Sequence, residues 1–424
     1  MNKKITLKNL VEDPGCLAEY DPNAMDFNSA NKYINKFLEP ITKTQSVLLK
    51  NTLDRTLAED LVSPINVPNY DNSAMDGFAF QVISTSTYNK LEIVDTILAG
   101  KVSNKIVQKN QAFQIMTGGK IPQGADTVIP IELVIKKENI IILKELPKKG
   151  ANIRKIGEDV QQGQIVLKKG THIRPAEVGL IASLGIEKIL VYRKLKVAFF
   201  STGDEIIKVG TPIKSGQVYD SNHYTIHSML TRLNIDCVDL GVIPDDKKII
   251  ETTLLKASRE TDAIITSGGV SVGQADYVKE ILEKIGSVLF WKLSIKPGRP
   301  MAYGKINSTP YFGLPGNPVA TMVTFYQLVQ PALKNIMGGR NYSAPPLIKV
   351  KCSVAIIKKP GRLEFQRGIL FNKEGEWKVK PVPLQGSAIL SSMSQANCFI
   401  ILDINSGSIK SGEVVEVQIM NGLI

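Results

Sequence analysis

The chain has 424 residues, 43% hydrophobic and 22% charged, the composition of a soluble globular protein with length for two to four domains. Its net charge is +12, but the lysines are spread along the chain with no basic run interleaved with aromatics, so a solvated lysine-rich surface is expected and nucleic acid is not. No apolar run reaches the length of a membrane span, no signal-peptide core follows the first residues, and Cys16, Cys237, Cys352 and Cys398 form no C-x-x-C pair, which points away from a membrane, a zinc site or a redox dithiol and fits a reducing cytoplasm.

Residues 27–66 and 161–194 read as helices with short strands between them. Arg174–Gly185 is one helix, with Pro175 at its start and Gly185 at its end. These flanks are expected to form one discontinuous domain (1–66 with 161–194) around an insert, 67–160. The insert reads as short strands and turns with two dense polar motifs, Asn69–Phe78 and Ile115–Asp126. Asp71, Asn72, Ser73 and Asp76 are either turn formers or the wall of a crowded active site.

Residues 195–340 alternate between strands and helices. Strand Lys196–Phe200 leads into Ser201-Thr202-Gly203-Asp204-Glu205, and a helix pattern follows Tyr219-Asp220-Ser221-Asn222. After these come strand Asp236–Val242, helix Asp246–Arg259, strand Ala263–Ile265, helix Asp276–Ile285, strand Leu289–Ile295, two short strands near 301–313 and helix Pro318–Met337. This pattern predicts a doubly wound α/β domain with a largely parallel sheet. Ligands in such sheets sit beyond the strands' carboxyl ends, and Ser201–Glu205, Ser267–Gly273 and Gly313–Asn317 all fall there.

The stretch from Ser267 through Gly268, Gly269, Ser271 and Gly273 to Asp276 joins a strand to a helix start. Close-approaching glycine backbone and a positive helix terminus suit a phosphate. Asp276 is either an N-cap or an acid aimed at the ligand, through a metal ion. Strand alternation downstream is expected to put Lys292, Ser294 and Lys296 on one face, so Lys292, Lys296 and Arg299 gather cations at a strand end. The second turn, Pro315-Gly316-Asn317-Pro318, offers Asn317 as an N-cap and Pro318 at the first helical position. After Pro346 the runs Leu347–Ile357, Leu363–Phe371, Trp377–Pro381, Cys398–Ile404 and Val414–Met420 predict a small C-terminal β-barrel domain, 341–424. His223 and His227, four apart, lack a third ligand and are expected at the surface or an interface.

Taken in order, N-S-A-M-D-G (72–77), M-T-G-G-x-x-P-x-G-A-D (116–126), G-E-D-V (157–160), S-T-G-D-E (201–205), S-G-G-V-S-V-G-x-A-D-Y (267–277), K-P-G-R-P (296–300) and G-L-P-G-N-P (313–318) resemble the signatures of the molybdopterin molybdenumtransferases, the molybdenum-insertion enzymes of molybdenum cofactor biosynthesis, whose unit also forms the gephyrin E domain. The resemblance runs from about residue 25 to the C-terminus. It departs at Asn69-Tyr70 and at Thr117-Gly118-Gly119, neither a charged position.

The resemblance implies an enzyme that takes molybdenum from molybdate into adenylylated molybdopterin, cleaving the pyrophosphate link with Mg2+ and releasing AMP. It also implies an elongated homodimer of four-domain chains, with each active cleft between the α/β domain of one subunit and the insert of the other. Carried over, Asp76, Thr117, Asp159, Glu205, Asp245 and Asp276 are catalytic positions. Glu205, Asp245 and Asp276 would hold the magnesium. Lys292, Lys296, Arg299, Arg367 and Ser387 would hold molybdate or the terminal phosphate. Ser267, Gly268, Gly269, Ser271 and Gly273 would cradle phosphate, with Pro315, Gly316, Asn317 and Pro318 facing pterin or phosphate. Transient contact with molybdopterin adenylyltransferase and recipient molybdoenzymes is implied too. The alternatives are a carrier that does not hydrolyse the nucleotide, a gephyrin-like scaffold, and tungstate as the oxyanion.

Overall fold

The computed structural model describes residues 25–82, 89–269, 277–338 and 345–420. Helix α1 (Phe27–Lys36) begins where Asp26 accepts the amides of Asn28 at 2.9 Å and Ser29 at 3.0 Å, so a side chain satisfies donors that the first turn leaves open. Its Ala30, Tyr33 and Ile34 are buried with Phe37 among side chains of the α/β sheet. The first helix therefore shares that core, not the one formed by the residues that follow it.

Those following residues pair with the distant second flank. Thr44–Leu48 runs antiparallel to Lys188–Tyr192, and Leu61–Val62 to Ile165–Leu167. Leu57, Leu61, Val160, Ile173, Ile181, Ile189 and Val191 make their common core. Val67 and Val160 exchange backbone hydrogen bonds of 2.8 and 3.1 Å, so the chain enters and leaves the insert at one place. Within the insert a six-stranded sheet runs in the order Thr127–Pro130, Gly77–Phe80, Gln111–Ile115, Lys90–Ile97, Ile140–Leu143, Val134–Lys137. Each of its faces carries a separate apolar cluster.

From residue 196 the expected alternation appears: β1 (Lys196–Thr202), α2 (Ser221–Arg232), β2 (Asp236–Ile243), α3 (Lys247–Glu260), β3 (Ala263–Ser267), α4 (Tyr277–Ile285), β4 (Gly286–Lys292), β5 (Ile295–Lys296), β6 (Pro300–Ile306), β7 (Thr309–Leu314) and α5 (Pro318–Thr324). The sheet order is β2-β1-β3-β7-β6-β4. The first four strands are parallel, and β6 and β4 are antiparallel additions. Val197, Ala198, Phe199 and Phe200 are wholly buried, as a continuous apolar run in a sheet covered on both faces should be.

Two expectations need correction. The run Leu289–Ile295 is not one strand: β4 ends at Lys292, the chain bends at Ser294, and β5 starts a new pairing. The long C-terminal helix is also interrupted. After α5 comes a π-helical turn, Phe325–Val329, before α6 (Gln330–Ile336), and the Gln330 amide reaches Phe325 carbonyl five residues back. Pro331 has no amide to offer and crowds the carbonyl four residues earlier, which widens the turn.

Strands β8 (Leu347–Cys352), β9 (Leu363–Lys373), β10 (Glu376–Pro381), β11 (Cys398–Leu402) and β12 (Val414–Ile419) close into a five-stranded barrel in the order β9-β10-β8-β12-β11, with β11 pairing back onto β9. β5 adds to β9 in parallel and so ties the barrel to the α/β unit. Among the described residues no helix is long and apolar enough to cross a membrane.

Candidate active site

The polar groups expected at the sheet's carboxyl edge meet there. Asn222, on the first turn of α2 and 7% exposed, donates from Nδ2 to Ser267 Oγ at the end of β3 and to Gly316 carbonyl beyond β7, both at 2.7 Å. One side chain thus braces both expected ligand turns. The Gly268 amide donates to Leu314 carbonyl at 3.2 Å. Gly268 and Gly269 have φ of +88° and +64°, which glycine adopts at little cost. A Cβ on Gly268 would stand 2.5 Å from Thr202 carbonyl, and one on Gly269 2.7 Å from Val278 Cγ2. By contrast, a Cβ on Gly316 would meet nothing among the described residues within 4 Å. Ser271, Gly273 and Asp276 lie outside the described residues.

The barrel reaches this edge through the loop after β10. Ser387 carbonyl accepts the Val319 amide of α5 at 3.0 Å, so barrel backbone occupies one donor of that helix start. Asn317 takes the N-cap position without forming a side-chain cap, contrary to expectation, while Thr321 Oγ1 donates to Pro315 carbonyl at 2.5 Å. Arg367, only 1% exposed, anchors the same loop. Its Nε donates to Ser392 Oγ at 3.1 Å, and its Nη2 to the carbonyls of Gly386 at 3.1 Å and Leu384 at 3.4 Å. The Gln385 side chain holds both the amide (3.0 Å) and the carbonyl (2.8 Å) of Arg367. Burial pushes the guanidinium down to about 10, so it stays charged at neutral pH. No carboxylate pairs with it among the described residues. A buried cation bonded only to neutral oxygens keeps its charge uncompensated among the described residues.

Acids gather at the other end of the edge. Asp245 precedes Asp246, which caps α3 through the amides of Lys248 and Ile249, both at 2.9 Å. Burial, then the negative charges of Asp204 and Glu205, hold the Asp245 carboxyl above its ordinary range. Mutual repulsion of this kind fits a site that a cation completes. Among the described residues no three metal-ligating side chains are close enough to hold an ion, and the third expected acid, Asp276, lies outside them. The sign of the linkage gives a prediction. A carboxyl with a raised folded value costs stability once pH climbs above the unfolded value, so the cost is present at neutral pH. Asp245→Asn is expected to raise the thermal midpoint at pH 7 without divalent ions and to shrink any rise that millimolar Mg2+ gives the wild type. Scanning calorimetry at pH 7 with and without Mg2+ checks both, and an unchanged Mg2+ response would remove Asp245 from the cation site.

In the insert, Asp76 Oδ1 accepts both the amide and the hydroxyl of Thr117, each at 2.7 Å. These donors hold its carboxyl below the usual range. Asp71 is instead engaged by Lys155 Nζ at 2.7 Å and the Ile156 amide at 2.8 Å. Asp159 is exposed at the insert's neck, its amide on Val67 carbonyl at 3.0 Å. Among the described residues no hydrogen bond or ion pair joins residues 67–160 to residues 195–420. The structure therefore brings together Ser267, Gly268, Gly316, Ser387 and Arg367, and separately Asp76 with Thr117.

The cations divide. Lys292 closes β4, half-buried, and Arg299 is exposed with its carbonyl on the Leu293 amide at 2.8 Å. Lys296 pairs with Glu364 at 3.2 Å. Because β4 stops at the bend, Lys292 and Lys296 do not alternate along one strand. His223 is also placed differently from expectation. Its side chain is 15% exposed, packs 4.9 Å from Phe199 between ring centres and pairs with Asp239 at 3.0 Å, whereas His227 is exposed. Asn222, Glu364 and Ser392 were not legible as site residues. Asn222 follows the helix signal Asp220-Ser221, which accounts for it locally, and the other two act across long chain separations.

Against known proteins, the chain is 42% identical over 395 residues to the molybdopterin molybdenumtransferase of Haemophilus influenzae, spanning 92% of this chain and 98% of that protein. The chain belongs to the molybdopterin molybdenumtransferase family. The family's Bacillus subtilis protein is 34% identical over 393 residues, 89% of this chain and 90% of that one. The crystal structure of the molybdopterin biosynthesis moeA protein from Pyrococcus horikoshii superposes with a TM-score of 0.81 at 30% identity, covering 93% of this chain and all of that one. Three family models match: "MoeA N-terminal region (domain I and II)" over residues 25–185, "Probable molybdopterin binding domain" over 198–335 and "MoeA C-terminal region (domain IV)" over 349–420. In this family member the strand-end site lies in the second region, and Arg367 and Ser387 in the third.

Proposed function

We propose that this chain inserts molybdenum from molybdate into adenylylated molybdopterin, cleaving the pyrophosphate link and releasing AMP. The observation that carries the reading is the buried Arg367 of β9, unpaired with any carboxylate among the described residues, which anchors the loop resting on the Pro315–Val319 turn, beside the glycine turn at Ser267–Gly269. An oxyanion site and a phosphate cradle then share one edge. The names of its relatives in molybdenum cofactor biosynthesis support the same reading.

Arg367 and Ser387 hold one of the two anions, molybdate or the terminal phosphate, and Lys296, on the opposite face of the β5–β9 ribbon, holds the other with Lys292 and Arg299. Ser267, Gly268, Gly269 and Gly316 offer backbone and hydroxyl groups to the phosphates, and Asn222 fixes the spacing of the two turns. Glu205, Asp245 and Asp276 hold a magnesium ion, whose charge offsets that of the pyrophosphate and the departing AMP. Asp76, locked by Thr117, and Asp159 orient water or the pterin. The implied two-copy cleft is compatible with the absence, among the described residues, of any hydrogen bond or ion pair between the insert and the strand-end site. The four domains are 1–66 with 161–194, 67–160, 195–340 and 341–424, with helix α1 packed away from its own domain onto the α/β unit.

The test mixes purified protein, adenylylated molybdopterin, Mg2+ and molybdate, and follows AMP release together with activation of a cofactor-free molybdoenzyme. Molybdate-dependent AMP release that Asp276→Ala abolishes is the expected result. Tight nucleotide binding with no AMP release, under molybdate or tungstate, would leave a carrier in place of the enzyme.

A further inference from the structure

Glu364 is a buried acid that the proposed chemistry leaves unused. Its side chain is 4% exposed. One oxygen accepts Lys296 Nζ at 3.2 Å, and the other accepts Gln366 Nε2 at 3.0 Å. Lys296 stands opposite Glu364 in the parallel pairing of β5 with β9. Side chains alternate along a strand, so Lys296, Glu364 and Gln366 share one face of this ribbon, while Ile295, Leu363, Phe365 and Arg367 share the other. Cross-strand neighbours confirm the sidedness. Leu402 and Ile400, opposite Glu364 and Gln366, belong to the barrel core, whereas Phe365 and Phe399 belong to the α/β core.

Lys296 is thus held from behind by a carboxylate at the barrel mouth, while half its own surface (49%) faces outward. An ammonium has three donors, and the Glu364 bond leaves others for an anion in front. A carboxylate about 3 Å behind a cation offsets much of its pull on that anion. Glu364 cannot be left unpaired cheaply in a buried place, so Lys296 does not abandon it to follow the anion.

We propose that Glu364 is a positioning and affinity-setting residue: it fixes the Lys296 ammonium at the seam between barrel and α/β unit and weakens that lysine's hold on the substrate oxyanion. This rests on the reading that Lys296 faces molybdate. Weak retention suits an oxyanion that must be handed on, not stored.

The experiment is calorimetric titration of the full-length protein with molybdate at low ionic strength. Glu364→Gln keeps an oxygen for Lys296 and removes the charge, and is expected to tighten molybdate binding about three- to tenfold. Lys296→Met in the same chain (K296M/E364Q) is expected to erase the gain. A merely structural role for Glu364 cannot tighten binding, so unchanged or weaker binding by a folded E364Q overturns the proposal. Should E364Q fail to fold, K296M and K296M/E364M decide: the lone carboxylate in K296M must bind molybdate more weakly than the apolar pair, and equal affinities overturn the proposal. If E364Q shows no gain but K296M/E364M binds more weakly than wild type, Lys296 keeps its place and only the role of Glu364 falls. If E364Q shows no gain and K296M/E364M matches wild type, the Lys296 contact falls as well.

Discussion

Arg367→Lys is expected to keep the positive charge and still lose at least about a hundredfold in kcat/KM for molybdate-dependent AMP release, roughly 2.7 kcal/mol of transition-state binding. The guanidinium does two jobs at once. It presents charge, and it splits its donors between Ser392 Oγ on one side and the carbonyls of Leu384 and Gly386 on the other. An ammonium is a point donor on a flexible stem and cannot span that fork. The carbonyls it abandons stay in a buried place, and each bond to a charged group contributes about 1.5–3 kcal/mol. The loop then loses its anchor, and with it the Ser387 carbonyl that rests on Val319. The same variant should melt earlier than wild type and lose any stabilisation by added molybdate. Activity within about fivefold of wild type would show that Arg367 matters only as a charge.

Gly268→Ala should be nearly as damaging, and Gly316→Ala separates the reason. At Gly268 a methyl group needs a left-handed backbone and would stand 2.5 Å from Thr202 carbonyl, which is main chain and cannot rotate away. The turn must shift, breaking the Gly268–Leu314 hydrogen bond or moving the Ser267 hydroxyl off Asn222. Displacements near 1 Å at a positioning group cost about a hundredfold in rate, and the forced φ adds about 1–2 kcal/mol of strain. At Gly316 the added methyl meets no atom of the described residues within 4 Å. Gly316→Ala is therefore expected to leave the thermal midpoint unchanged and to raise KM for adenylylated molybdopterin, whose approach the added methyl would obstruct. A Gly268→Ala protein with unaltered stability and activity would remove the glycine turn from the site.

The parts that were legible in the sequence were those set by nearest neighbours in the chain. Apolar runs such as Val197–Phe200, acids at helix starts such as Asp246, and glycines at strand ends such as Gly268 each carry a local physical reason. They placed the α/β unit, its ligand edge and the closed barrel. Less visible were interactions between residues far apart in sequence. Lys296 and Glu364 are 68 positions apart and meet only because the chain bends at Ser294 and joins another sheet. Arg367 was recognisable by resemblance, but its burial depends on a loop that closes over it. Nothing in the helix pattern Pro318–Met337 announces the π turn at Phe325–Val329, although Pro331 explains it.

The neck at Val67 and Val160 has a further consequence. Two chain segments cross side by side there, joined by reciprocal backbone bonds, and neither continues into the strand-end site. The insert hangs from the rest of the chain as a cassette on a double stem. Lineages could exchange, lengthen or reorient it without rethreading the sheets below, while Asp159, rooted in the stem itself, would stay in place through every such exchange.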